Sequence, residues 1–165
     1  MTIAVYAGSF DPITDGHFDI IERASNVFDT LVIGVGVNPK KQGFFTPEER
    51  VGLIKEVCEP LQNIQVLDFQ GLLVEFCLKV GAKVIVRGLR AVSDFESEMG
   101  VAHTNAQLSP GIDTFFLPTK PKYSFVSSST VKELASHGAS TSYYLHPVVA
   151  KALDSKIHFR RVLGV

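Results

Sequence analysis

The sequence predicts an α/β chain built as one domain, with a doubly wound sheet of five parallel strands and helices on both faces. Three observations lead there. The chain has 165 residues, a length that favours one domain large enough to bury most of its apolar surface. Five short, β-branched apolar stretches recur along it, each separated from the next by a helical pattern. No internal repeat, low-complexity tract or linker interrupts them, so residues 1–165 read as a single domain ending in a helix and tail over about 146–165.

The elements follow in order. Ile3 to Ala7 is the first strand. Gly16 to Phe28 is a helix, because Ile20, Ile21, Ala24, Val27 and Phe28 share one stripe with Asp19, Glu22 and Arg23 opposite. Leu31 to Val37 is the second strand. Thr46-Pro47-Glu48-Glu49 then opens a helix, with Thr46 as N-cap, Pro47 at the first helical position and Glu49 as the capping-box return. Ile64 to Leu67 is the third strand, and the helix over Leu72 to Val80 closes on Gly81 as a C′ glycine. Val84 to Val86 is the fourth. Ser93-Asp94-Phe95-Glu96 reads as a second capping box, opening a helix that stops before Pro110. After the fifth strand, Thr114 to Leu117, come helices over about Ser129 to Ser136 and from His146-Pro147 to about Lys156.

Composition excludes several function classes. Hydrophobic residues make up 45% and charged residues 20%, the range of ordinary globular chains. Lys and Arg number 16 against 17 Asp and Glu, a net charge of −1, and the pI is about 6.5. A sequence-blind nucleic-acid binder or a polybasic membrane-surface protein needs a cationic excess, so neither partner is expected. The total hides a pattern, because residues 1–78 hold 5 bases and 11 acids (net −6) and residues 79–165 hold 11 bases and 6 acids (net +5). The longest apolar run, Leu31 to Val37, is far short of the ~20 residues that cross a bilayer. No charged leader precedes Ile3, and Cys58 and Cys77 are too few for a disulfide framework or thiol metal site, so a cytoplasmic location is the expectation.

In doubly wound, Rossmann-like sheets ligands bind beyond the carboxyl ends of the strands, where strand order reverses. The loops there carry Gly8-Ser9-Phe10-Asp11-Pro12, Asn38-Pro39-Lys40-Lys41, Arg87-Gly88-Leu89-Arg90, and Pro118-Thr119-Lys120 running into Ser127-Ser128-Ser129. Glycine, hydroxyl and cation are the groups that hold phosphate. The sequence has no Walker lysine loop, and Gly34-Val35-Gly36-Val37-Asn38-Pro39 lacks the third glycine of the dinucleotide motif. Thr14-Asp15-Gly16-His17 instead sits at a helix start, where free N–H groups and the dipole favour an anion and His17 can donate to it. Bland alternatives stand beside each candidate. His17 could be a helix cap, Lys40 and Lys41 a solvated turn, and Arg87 and Arg90 could be paired to Asp94, Glu96 or Glu98. Glu98 alone would be a surface carboxylate, and Ser127 to Ser129 a cap compatible with phosphate binding. His103, His137, His146 and His158 show no metal-ligand spacing. The 12 Phe with no Trp read as core and subunit packing.

Three segments, Gly8-Ser9-Phe10-Asp11-Pro12-Ile13-Thr14-Asp15-Gly16-His17, Arg87-Gly88-Leu89-Arg90-Ala91 and Ser124-Phe125-Val126-Ser127-Ser128-Ser129, together resemble the bacterial phosphopantetheine adenylyltransferase family. The likeness runs from Ile3 to about Leu153. Thr-x-Gly-His alone marks only the wider nucleotidyltransferase superfamily, which includes class I aminoacyl-tRNA synthetases; the Arg-Gly-Leu-Arg-Ala block narrows it. Ser9 stands where the family usually has Thr, and Tyr123 where Trp is common.

The resemblance implies transfer of the adenylyl group of ATP to 4′-phosphopantetheine, giving dephospho-coenzyme A and pyrophosphate. His17, Lys41 and Arg90 would be catalytic, His17 as transition-state stabiliser. Ser9 would touch both substrates, and Lys41, Leu73 and Arg87 the acceptor. Phe10, His17, Gly88, Leu89, Arg90 and Glu98 would bind ATP, while Tyr123, Ser124, Phe125, Val126, Ser127, Ser128 and Ser129 would wrap its adenine and phosphates. Mg²⁺ would enter on ATP, with no protein metal site, and the chain would assemble as a homohexamer. Two alternatives are a sister transferase acting on another phosphorylated acceptor, such as nicotinate mononucleotide or glycerol 3-phosphate, and a non-catalytic nucleotide sensor.

Overall fold

Each strand is short and apolar, and each pairs in parallel with a neighbour from elsewhere in the chain. The computed structural model describes residues 1–163, the side chains of Val92 and Ser93 excepted. Its strands are β1 (Ile3–Gly8), β2 (Thr30–Gly36), β3 (Ile64–Phe69), β4 (Val84–Leu89) and β5 (Asp113–Pro118), in the order β3-β2-β1-β4-β5 and all parallel. The helices are α1 (Asp15–Ser25), α2 (Pro47–Val57), α3 (Leu73–Val80), α4 (Val92–Leu108), α5 (Ser128–Ser136) and α6 (Pro147–Leu163). The five-stranded, doubly wound α/β arrangement expected from the sequence is therefore present.

Alternation along the strands sends side chains to two cores. Ala4, Tyr6, Leu31, Ile33, Val35, Val84 and Val86 face one, which α1, α2, α5 and α6 complete. Val5, Ala7, Val32 and Ile85 face the other, against Val74, Phe76 and Cys77 of α3. Near Phe76 the packing leaves no room for a side chain at position 34, where a Cβ would lie 2.8 Å from the Phe76 ring. Cys58 and Cys77 are free and buried, and burial pushes their thiols up to about 12 and about 11, so neither supplies a thiolate near neutral pH. Among the described residues no helix is long and apolar enough to cross a membrane.

Strand register creates the crevice. β1 pairs with β2 along its whole length, from Ile3↔Thr30 to Gly8↔Val35. With β4 it pairs only over Ala4↔Val84, Val5↔Ile85 and Tyr6↔Val86, while β4 continues against β5 as far as Leu89↔Pro118. The two strands on either side of the reversal of strand order thus part at their carboxyl ends. The continued ladder with β5 also corrects an expectation: Arg87, Gly88 and Leu89 lie on the strand, not in the loop after it.

Local signals held where they were self-contained. Thr46 accepts from the Glu49 N–H (3.2 Å) and Glu49 accepts from the Thr46 N–H (2.7 Å), the expected capping box. Gly81 ends α3 at φ +73°, a conformation only glycine adopts cheaply. Other expectations need correction. α1 stops at Ser25 with Asn26 as C-cap, so Val27 leaves the apolar stripe and is exposed. Asp19, expected on the polar face, is buried between Arg23 and Lys120. α4 starts at Val92 after Ala91, so Ser93 lies within the first turn and is not the N-cap, and Asp94 accepts from the Arg90 N–H instead (3.3 Å). α6 runs to Leu163, because the side chains past Lys156 still find partners: Arg160 stacks on Phe44 at 4.3 Å and Arg161 donates to the Ser136 carbonyl.

Two buried charges brace the loops at the crevice. Asp11 accepts from the Phe44 and Phe45 N–H groups, both at 2.7 Å, and faces Lys132 at 3.6 Å. Arg50 donates to the carbonyls of Ser9 (3.0 Å), Thr46 (3.4 Å) and Gly36 (3.5 Å). Asp11→Ala is expected to lower the unfolding free energy by about 3 kcal/mol, because two N–H donors and a cation lose their acceptor together. Urea unfolding measures this, and a change below about 1 kcal/mol would show that the loops are held by other means.

Candidate active site

Where β1 and β4 part lies a cleft of about 420 Å³. The β1 exit contributes Gly8, Ser9 and Phe10, and the start of α1 contributes Thr14, Gly16 and His17. β4 and its exit add Arg87, Gly88 and Arg90, and α4 adds Asp94, Ser97 and Glu98. Thr119, Tyr123, Val126, Ser127 and Ser128 close the far wall. Gly88 eases this closeness, since a Cβ there would crowd the Ile20 side chain of α1 at 3.2 Å.

His17 occupies the third position of α1 and completes a capping box with Thr14. Its Nδ1 accepts from the Thr14 N–H at 3.0 Å, with the Thr14 hydroxyl also 3.0 Å away. The edge of the Phe10 ring packs against its imidazole, centroids 5.1 Å apart, and Phe10 itself is buried with φ +46°. Burial, with Arg90 adding to it, pushes the His17 pKa down to about 4. The ring is therefore neutral near pH 7. With Nδ1 acting as acceptor, the proton sits on Nε2, the one ring donor left for the cleft. Both readings of His17 hold: it caps the helix and it lines the cleft.

The arginines are paired. Arg87 binds Glu98 bidentately (Nε–Oε2 2.6 Å, Nη2–Oε1 2.7 Å), and its Nη1 donates to the Ala7 carbonyl at 3.1 Å. Glu98 raises the Arg87 pKa further above its ordinary value. Beneath them Tyr6 is buried, and loss of water raises its pKa. Arg90 donates through both Nε and its backbone N–H to Asp94, each at 3.3 Å. The ion pairs weighed from sequence thus form, and they form inside the cleft.

Across from them Ser127 caps α5 by accepting from the Thr130 N–H at 3.0 Å, and Ser128 donates to the Pro12 carbonyl at 2.7 Å. Of the other residues expected at the site, Leu89, Ser124, Phe125 and Ser129 lie outside the cleft lining, and Phe125 is 91% exposed. Lys41 sits exposed on the turn after β2, its N–H bonded to the Asn38 carbonyl at 3.0 Å, and Leu73 begins α3 against the second core. Neither lines this cleft. Sequence reasoning did not assign Ser97 to the site; Thr14 and Thr119 stood in segments it singled out, without roles of their own, and Asp94 was weighed only as a partner of the arginines. His146 accepts from the Val148 N–H at 3.3 Å, a helix-start role. Among the described residues no three His, Cys, Asp or Glu side chains group as metal ligands.

Comparison with known proteins sets this geometry in context. A family model described as cytidylyltransferase-like matches residues 5–134. A phosphopantetheine adenylyltransferase of Caldanaerobacter subterraneus subsp. tengcongensis is 48% identical over 156 residues, 94% of this chain and 98% of that protein. Two solved structures share the fold. One, a Vibrio parahaemolyticus protein provisionally named a nicotinate-nucleotide adenylyltransferase, aligns with TM-score 0.73 at 20% identity over 95% of each chain. The other, Plasmodium falciparum nicotinic acid mononucleotide adenylyltransferase, aligns with TM-score 0.69 at 16% identity over 96% of each.

The lowered His17 pKa makes stability pH-dependent with a definite sign. Between about 4 and 6.5 the unfolded chain takes up a proton on this residue and the folded chain does not. Stability from His17 is present above pH 6.5 and is lost as pH falls towards 4, by roughly 3 kcal/mol. Unfolding free energies at pH 7 and pH 4.5 for the wild type and His17→Gln are expected to differ in that direction, the wild type falling more steeply. Equal slopes would place an ordinary histidine at this position.

Proposed function

The chain belongs to the cytidylyltransferase-like family, and on that premise we propose that it transfers the adenylyl group of ATP to 4′-phosphopantetheine, releasing pyrophosphate and forming dephospho-coenzyme A. The observation that carries this reading is His17, held neutral with a single N–H free at the crevice where two arginines and a helix N-terminus meet. Strong similarity to a phosphopantetheine adenylyltransferase over nearly the whole chain supports the acceptor.

The chemistry asks little more of the protein. A phosphomonoester is already an anionic nucleophile, so its oxygen attacks the α-phosphorus of ATP without a general base. The new P–O bond forms in line with the breaking bond to the β-phosphate, and pyrophosphate departs with its electron pair. His17 Nε2–H donates to the α-phosphoryl oxygen on which charge builds, while Arg90 holds the β/γ side. Ser9 sits between the two substrates. By likeness to the family, Lys41, Leu73 and Arg87 serve the acceptor, Arg87 from the cleft wall and Lys41 and Leu73 from outside it, on the loop after β2 and at the start of α3. Phe10, Gly88, Leu89, Glu98 and the segment from Tyr123 to Ser129 serve the nucleotide.

Asp94 and Glu98 each pair with an arginine, and no three acidic side chains group together among the described residues, so this donor set suits Mg²⁺ held mainly through ATP. The ion would offset α- and β-phosphate charge. A cytoplasmic homohexamer belongs to the same proposal, supported by exposed apolar side chains on α3 and α4, Leu78, Val101 and Leu108 among them. A sensor with this fold would need binding alone, whereas a histidine fixed in one tautomer at the phosphate position suits charge stabilisation.

His17→Ala is expected to lower kcat by two or more orders of magnitude while ATP affinity stays within a few fold; loss of both in equal measure would make His17 a binding or folding residue. Pyrophosphate release with ATP and a panel of acceptors (4′-phosphopantetheine, nicotinate mononucleotide, glycerol 3-phosphate) should single out the first. Lys41→Ala should then raise KM for that acceptor more than KM for ATP. Release with another acceptor alone would reassign the substrate.

A further inference from the structure

Asp19 is a charged residue of α1 that lies outside the cleft and that the reaction above does not use. Its side chain is 2% exposed, yet it faces two partly exposed cations, Arg23 at 31% and Lys120 at 49%. Arg23 Nη1 lies 3.1 Å from Oδ2 and also donates to the Pro118 carbonyl at 2.9 Å. Lys120 Nζ lies 2.5 Å from Oδ1, a charge contact without an aligned hydrogen bond. Pairing with partly exposed cations offsets only part of the cost of burying a carboxylate, so the contact contributes little net stability and its consequence is where it holds its partners.

That effect falls on one segment. Pro118 and Lys120 flank Thr119, which lines the cleft, and Lys120 precedes the 3₁₀ turn Pro121–Tyr123, whose Tyr123 also lines it. Tyr123 rests on the start of α1, where a Cβ at Gly16 would be 3.5 Å from its own. Two residues before Asp19 on the same helix stands His17. We infer that Asp19 is a positioning residue: through Lys120 and Arg23 it fixes the strand-exit segment carrying Thr119 and Tyr123 at a set distance from His17, and so sets where ATP is held. The inference rests on the proposed adenylyl transfer for its assignment of that wall to the nucleotide.

Asp19→Asn and Lys120→Met are each expected to raise KM for ATP about tenfold, with acceptor KM and kcat within about threefold of the wild type. The double variant should be no worse than either single one, and Lys120→Arg should restore most of the loss, because the pair acts as a unit. Calorimetric binding of a non-hydrolysable ATP analogue should show the same tenfold loss without any acceptor. Lys120→Met, changing an exposed side chain, keeps the test open should Asp19→Asn fold poorly. ATP KM and analogue affinity unchanged in both variants would overturn the inference, as would ATP and acceptor KM raised equally. Multiplying losses in the double variant would also overturn it, since Lys120 would then act on ATP by itself. If the wild type releases no pyrophosphate from 4′-phosphopantetheine, the functional reading fails, and the analogue-binding comparison still decides whether Asp19 positions the nucleotide wall.

Discussion

Two parallel strands cannot remain paired and also hold a crevice between them. β1 and β4 share three registered positions and then separate, and separation leaves backbone groups that need partners away from water. Charged side chains from distant parts of the chain supply them. The Ala7 carbonyl takes Arg87, 80 residues on, and the Ser9 carbonyl takes Arg50, 41 residues on. Asp11 in turn accepts the Phe45 N–H across 34 residues. The Arg87 contact takes the place of the ladder on this edge of β1, and the other two hold the loops beyond β1 and before α2. They also decide what the cleft can offer, because Ser9, the start of α1 and the loop bearing Lys41 take their places from where Arg50 and Asp11 hold the backbone.

Charge at the cleft is already balanced. Glu98 occupies the fork of Arg87 and Asp94 occupies Arg90, so an arriving polyphosphate exchanges one charge-assisted pair for another. The net gain is then a difference between two similar interactions, which favours selection by shape and spacing over raw attraction. Arg87 is suited to such an exchange. One Nη1 bond holds it to the Ala7 carbonyl while the Nε/Nη2 edge faces the carboxylate, so it can change its anionic partner without leaving the strand. A chain of net charge −1 can in this way hold two polyanions without a basic surface.

Legibility followed the range of the interactions. The strands could be read from the sequence because apolar, β-branched runs are local facts, and the Thr46 box because its two bonds span three residues. His17, Arg87 and Arg90 could be read because loop and strand-exit composition marks the carboxyl edge. Asp19 could not: periodicity placed it on the polar face, and its burial depends on Arg23, one turn on, together with Lys120, about a hundred positions away in the segment after β5. The same reason hid Asp11 and Arg50. The expected cap at Ser93 failed because the helix opens earlier, at Val92 after Ala91, which leaves Ser93 inside the first turn. Lys41 and Leu73 were expected at the acceptor and stand away from the cleft lining, one on an exposed turn and one against the second core.

His17 shows why a structural and a chemical role need not compete. The usual residues at the third position of a capping box, Glu and Gln, also spend one side-chain atom on the backbone, but Glu then keeps only an acceptor and Gln keeps its donor beside that atom on the same amide. Imidazole carries an acceptor and a donor on opposite sides of a rigid ring. Accepting from the Thr14 N–H at Nδ1 forces the proton to Nε2, and burial against Phe10 keeps the ring from gaining a second one. Protonation would place two donors face to face at Thr14 and break the cap. Folding and phosphoryl chemistry therefore select the same tautomer, so the hydrogen bond that starts α1 also fixes the donor at the cleft before any substrate arrives.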